Sequence, residues 1–185
     1  NHTDADYKFG TPIYGAGAVD VLAGVSTLST SYYTGDTMAT GGSLLLSGSL
    51  RGDSYVSGSG ILGGTGVARN IYVHSGGILA PGASIGTLSA EGVVDLETGY
   101  SFEVEINDAG NSDMLVATGD VTIAAGASLV IQPESLGEDS STNDWAMTYQ
   151  LIAANSVTGV FDAVTESFAF MDVLTIYERK AVFLA

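Results

Sequence analysis

Chemistry in this chain has few residue types to draw on. Cysteine is absent, which removes thiol nucleophiles, thiolate metal sites and disulfide scaffolds together. Only His2 and His74 offer an imidazole. Ser75 adjoins His74, yet a Ser–His–Asp arrangement needs the imidazole within hydrogen-bond reach of the hydroxyl, and neighbours along a strand point to opposite faces. His74 therefore reads as a surface residue of a strand, and His2 as part of a frayed terminus. Glu134, Glu138, Asp139 and Asp144 crowd the polar stretch 132–144, where a hard cation such as calcium would find oxygen ligands. That stretch lacks the fixed spacing of a calcium loop, including the Gly-Gly-x-Gly-x-Asp nonapeptide, and reads as a solvated loop. Glu103 and Glu105 share one strand face. Glycoside hydrolysis would need such carboxyls to flank a groove, one with a raised pKa; their simpler role is the polar face opposite Phe102, Val104 and Ile106. Arg51 and Arg69 are isolated in sequence, unlike the basic catalytic residue of a polysaccharide-acting enzyme. We assign no catalytic, cofactor-binding or metal residue.

The elements behind these residues are short β-prone runs between glycine-rich turns. Ser43-Leu44-Leu45-Leu46, Asn70-Ile71-Tyr72-Val73, Ser101-Phe102-Glu103-Val104-Glu105-Ile106, Asp120-Val121-Thr122-Ile123 and Ser128-Leu129-Val130-Ile131 are the clearest. Several alternate with period two, as strands with one buried face do. A turn followed by Leu or Phe recurs, and glycines at 42, 60, 77, 99 and 126 are spaced by 18, 17, 22 and 27 residues. About twenty residues per unit suits one coil of a solenoid, whose apolar residues stack from rung to rung. An antiparallel sandwich also shows short, turn-punctuated strands; the recurrence of one turn type favours the solenoid.

Composition narrows the partners. The net charge is -16, from 21 carboxylates against five cations, so phosphate backbones and anionic headgroups are repelled. Nucleic acid is excluded on that ground. No apolar run approaches the roughly eighteen residues that a membrane-spanning helix needs, so the chain is not expected to be membrane-embedded. It begins at Asn1 without a basic and apolar leader, and reads as a processed piece of something longer.

From about Ser31 the chain resembles the C-terminal part of bacterial autotransporter passengers. Tyr32-Tyr33-Thr34-Gly35-Asp36-Thr37 followed by Gly41-Gly42-Ser43-Leu44 is similar to the autotransporter-associated repeat. The most specific string is Gly76-Gly77-Ile78-Leu79-Ala80-Pro81-Gly82-Ala83-Ser84-Ile85-Gly86-Thr87-Leu88, similar to that family's Gly-Gly-x-Leu-Ala-Pro-Gly-x-Ser-Ile-Gly-x-Leu signature. Its Pro81-Gly82 pair predicts a turn with Gly82 in the left-handed position. Downstream, Asn111-Ser112-Asp113-Met114-Leu115 and Gly159-Val160-Phe161 with Phe168-Ala169-Phe170 continue the pattern. Earlier, Gly15-Ala16-Gly17-Ala18-Val19-Asp20 resembles the turn that closes subtilisin-like catalytic domains, with Asp20 as N-cap of a short helix. Gly35-Asp36-Thr37-Met38-Ala39-Thr40-Gly41 is similar to the subtilase nucleophile string, but Thr37 stands in the serine's place and no proline follows. Gly41-Gly42 would also stop the required helix. It is given no role.

The expected fold is all-β: a single-stranded, right-handed parallel β-helix with a C-terminal cap and a short helical N-terminal segment. Residues 1–30 read as the closing segment of an upstream, subtilase-like domain or a linker, 31–87 as repeat rungs, and 88–185 as the autochaperone-type cap. Phe161, Phe168, Phe170, Tyr177 and Phe183 are expected to cover the last rungs, since an open solenoid end invites aggregation. The resemblance implies a secreted, surface-displayed stalk and folding cap, partnered by its own upstream passenger domain and a downstream outer-membrane β-barrel. The alternatives are an adhesin or self-associating module meeting a host or matrix surface and, ranked last, a polysaccharide-acting enzyme.

Overall fold

The computed structural model describes residues 6–9, 11–134, 147–166 and 173–185. Every regular element among them is a strand. Alternating apolar residues bury one side of most of the short runs, and a corner then turns the chain onto the next face. The result is a parallel β-helix with three faces.

The first face stacks β1 (Asp6–Phe9), β4 (Val25–Leu28), β7 (Ser43–Leu46), β9 (Ile61–Gly64), β12 (Ile78–Pro81), β15 (Ser101–Ile106), β18 (Ser128–Pro133) and β21 (Ala163–Glu166), all parallel. The second face begins with the pair β2 (Tyr14–Gly15) and β5 (Tyr32–Tyr33). An isolated bridge from Ser49 to Val67 links its next rungs. It continues through β10 (Val67–Ala68), β13 (Thr87–Ala90), β16 (Met114–Ala117) and β19 (Tyr149–Ala153). On the third face lie β3 (Val19–Val21), β6 (Thr37–Ala39), β8 (Ser54–Val56), β11 (Ile71–Val73), β14 (Val94–Leu96), β17 (Asp120–Ile123) and β20 (Ser156–Thr158). Each coil visits the faces in that order.

The core is a set of vertical columns. Leu44, Leu62, Leu79, Phe102 and Leu129 stack in register on the first face, and all are buried. Ile71, Val94 and Val121 do the same on the third. Each large aliphatic side chain so buried contributes about 1.5–3 kcal/mol. The columns change character along the axis. Ser26, Ser31, Thr37 and Ser54 are buried in the early coils, and the same columns hold only apolar residues further on, among them Phe102 and Val121.

Antiparallel pairing appears at the C-terminal end of the second face. There β23 (Ala181–Leu184) pairs antiparallel with β19, and β22 (Thr175–Glu178) pairs antiparallel with β23. Phe161 lies under this hairpin, stacked on Phe102 at 5.7 Å and 6.4 Å from Tyr177. Its backbone N–H donates to the Tyr177 hydroxyl at 2.9 Å. Two of the expected capping aromatics thus meet; Phe183 is in β23, and Phe168 and Phe170 lie outside the described residues.

One expectation fails. The short helix after Asp20 is absent: Val19–Val21 forms β3, paired parallel with β6. Alternation decides this, because Val21 is buried beside Ala39 whereas Asp20 points outward. Asp20 caps no helix, and its carboxylate accepts from Thr40 Oγ1 at 3.2 Å. The strands of residues 6–28 pair into the same faces as those that follow.

Leu79 is fully buried at mid-stack, so Leu79→Ala should cost about 2–5 kcal/mol of unfolding free energy. Urea denaturation followed by far-UV circular dichroism checks this; a loss below about 1 kcal/mol would contradict the column packing.

Candidate functional site

Register fixes the faces, so variation must go to corners. Along the first face, the paired residues Val25, Ser43, Ile61, Ile78, Ser101, Ser128 and Ala163 step by 18, 18, 17, 23, 27 and 35. The corner from third to first face holds four residues in each of the coils that lead into β9, β12, β15, β18 and β21. Most of the growth falls at the corner from first to second face, which holds residues 65–66, then 82–86 and 107–113 in successive coils, while fifteen residues separate β18 from β19. The strands of the first and second faces lengthen as well, from β9 to β18 and from β10 to β19. Solenoids carry such insertions on one side, commonly the binding side.

Asp113 anchors this corner. It shares the inward parity of Leu115 and Ala117, and only 2% of it is exposed. Its Oδ1 accepts the Gly86 N–H at 2.8 Å, and its Oδ2 accepts the Glu105 N–H at 2.8 Å. One carboxylate therefore ties the 82–86 loop to the end of β15. Gly82 has φ +85°, as the Pro81-Gly82 turn predicts. A Cβ there would collide with the Asp113 carboxylate. Burial pushes the Asp113 carboxyl up to about 6, against the lowering effect of its two backbone donors. Glu134 completes the corner from above. It accepts from Ser84 Oγ at 2.9 Å, Ile85 N at 3.4 Å and Asn107 Nδ2 at 3.3 Å, and the Ser84 bond leads in holding its carboxyl below the usual range.

Beside the loop, the outer side of the first face carries two adjoining clefts of about 160 and about 400 Å³. Glu103 and Glu105 line the smaller one together with Asp113. They do share the outer side of β15, as the alternation predicts. Burial raises the Glu103 carboxyl, and Gln132 Nε2 donates to it at 3.4 Å.

The other candidates are dispersed. His74 follows β11 directly as the first residue of the next corner, with Nδ1 2.7 Å from Glu97 Oε2 and its ring parallel to Tyr55 at 6.1 Å. Thr37 is a core residue, its hydroxyl 2.5 Å from the Tyr33 hydroxyl. Arg69 pairs with Asp53 at 3.7 Å, and Arg51 lies over the Tyr32 ring at 5.3 Å. His2, Glu138, Asp139 and Asp144 lie outside the described residues. Among the described residues no three His, Asp or Glu side chains converge as metal ligands. Nor is any helix long and apolar enough to cross a membrane. Sequence reasoning missed Asp113. The signal was its parity: it lies two residues before the inward Leu115, where a carboxylate is out of place.

No family model matches the chain, and no curated protein is detectably similar to it.

Asp113→Ala strips two backbone donors of their acceptor and should cost roughly 2–4 kcal/mol, read from urea melts at neutral pH. Acid titration gives a second test. With a folded-state pKa of about 6 against an ordinary 3.8, Asp113 holds its proton more tightly folded than unfolded. Its protonation thus contributes stability that is complete below about pH 4 and lost as pH rises through about 6. The stability difference between wild type and Asp113→Asn should shift in favour of wild type as pH falls through that window. A flat difference would show that Asp113 titrates normally.

Proposed function

We propose that the chain is the structural stalk and folding cap of a secreted autotransporter passenger, which displays an upstream effector at the bacterial surface. The observation that carries this reading is the way the stack ends. The later coils are wider and, Asp113 apart, their buried described residues are apolar, and an antiparallel hairpin extends the second-face sheet beyond β19. A stack of this kind propagates from its most stable rung, so apolar terminal coils with a closing hairpin suit a nucleus that templates the coils before them. The signature string supports the same reading, since its Pro81-Gly82 turn and Gly86 form the loop that Asp113 binds. In this reading the chain's partners are its own upstream passenger domain and a downstream outer-membrane β-barrel, and it has no catalytic role.

A second reading, an adhesin, draws on the corner where the insertions collect. Loops set on a rigid scaffold are the usual carriers of recognition. A polysaccharide-acting enzyme has less support, because Arg51 and Arg69 are already engaged with Tyr32 and Asp53.

Deleting residues 88–185 from the secreted parent should abolish surface display of the effector, measured by protease accessibility on intact cells. Unchanged display would sink the folding-cap reading.

A further inference from the structure

The outer side of the first face has a polarity that its stacking role does not require. One register column runs Lys8, Thr27, Leu45, Gly63 and Ala80, with Glu103 one strand further. Gly63 and Ala80 leave a depression in the middle of this column. Leu45, Ile61, Pro81 and the corner residue Ala83 line it as well. The two clefts share Leu45 and Ala83 and so adjoin along the axis. Lys8 lines the cleft nearer the N-terminal rungs, and Glu103 and Glu105 line the other. Five strand spacings separate the ends of the column, about 24 Å at about 4.8 Å each. An extended peptide of roughly seven residues covers that length.

We propose that this trough binds an extended peptide segment of a partner protein, apolar at its centre and cationic at the end lying over Glu103 and Glu105. Charge selects this occupant. Another copy of the chain would bring a second net charge of -16 to an acidic rim, and an anionic lipid surface would be repelled in the same way. A basic segment gains from the rim while its apolar centre covers Leu45 and Ile61. The β9 and β12 backbones are already paired on both sides, so the segment is held by side-chain contact across the strands and not by strand addition. The proposal stands independently of export and of the stalk reading.

Fluorescence anisotropy on the full chain tests it. The probe is a labelled nonapeptide with a Leu- and Val-rich centre, two arginines at one end and an aspartate at the other; the control carries glutamates for the arginines. Saturable binding of the cationic probe is expected, weakening with added salt. Glu103→Lys combined with Glu105→Lys should weaken it about tenfold or more, and Ile61→Glu should do likewise with an unchanged melting temperature. Ala83→Arg, on the exposed loop, serves the same purpose should Ile61→Glu perturb the fold. Equal binding of both probes would overturn the proposal, as would full affinity in the folded variants. So would sedimentation showing copies that associate until Ile61→Glu separates them, since the trough would then belong to a second copy.

Discussion

Each inward side chain in this molecule rests on its counterpart one coil earlier, and that vertical register constrains everything else. A one-residue slip on any face would turn an entire column outward. Coil length therefore cannot change in the middle of a strand. It changes mainly where the chain leaves the stack, at the first-to-second corner, and to a smaller extent at the strand ends beside it. Loops, clefts and the buried carboxylate gather there for one geometric reason.

The same register explains why Asp113 is buried without disrupting the stack. A carboxylate at an inward parity would ordinarily be expelled or protonated. Here two backbone donors converge on it, from the loop after β12 and from the end of β15. At the two-residue corner 65–66 the chain is held by a backbone bond, with Gly66 N–H donating to the Leu46 carbonyl at 2.8 Å. Desolvation against donor bonds sets its proton affinity, so the corner's rigidity is linked to acidity as well as to packing.

Much of this was legible in the chain. Alternation in Ser43–Leu46 and Ser101–Ile106 identifies strands and their buried sides, and the glycine spacing anticipates the coil lengths because glycines 42, 60 and 77 sit immediately before first-face strands. Gly60 tolerates no Cβ against the Ala39 carbonyl, so the spacing records real close approaches. Strand β3 was not legible. Three residues are too few for a period, and the glycine-rich approach to Asp20 carries a helix-capping pattern that rung pairing overrides. Asp113 went unread for a different reason: a lone carboxylate before an apolar run looks like a strand-end residue until the donors that face it are known, and they come from Gly86 and Glu105, 27 and 8 residues away.

The four-residue corner between third and first faces, repeated from coil to coil, makes its opposite number a place of freedom. Sequence inserted at the first-to-second corner lengthens a coil without moving any column. Variation there is open to selection for contact so long as Gly82 and the Asp113 tether to Gly86 and Glu105 are kept. The same property would let a foreign epitope be grafted into the exposed turn 108–110, clear of Asp113, on a scaffold whose columns stay in place.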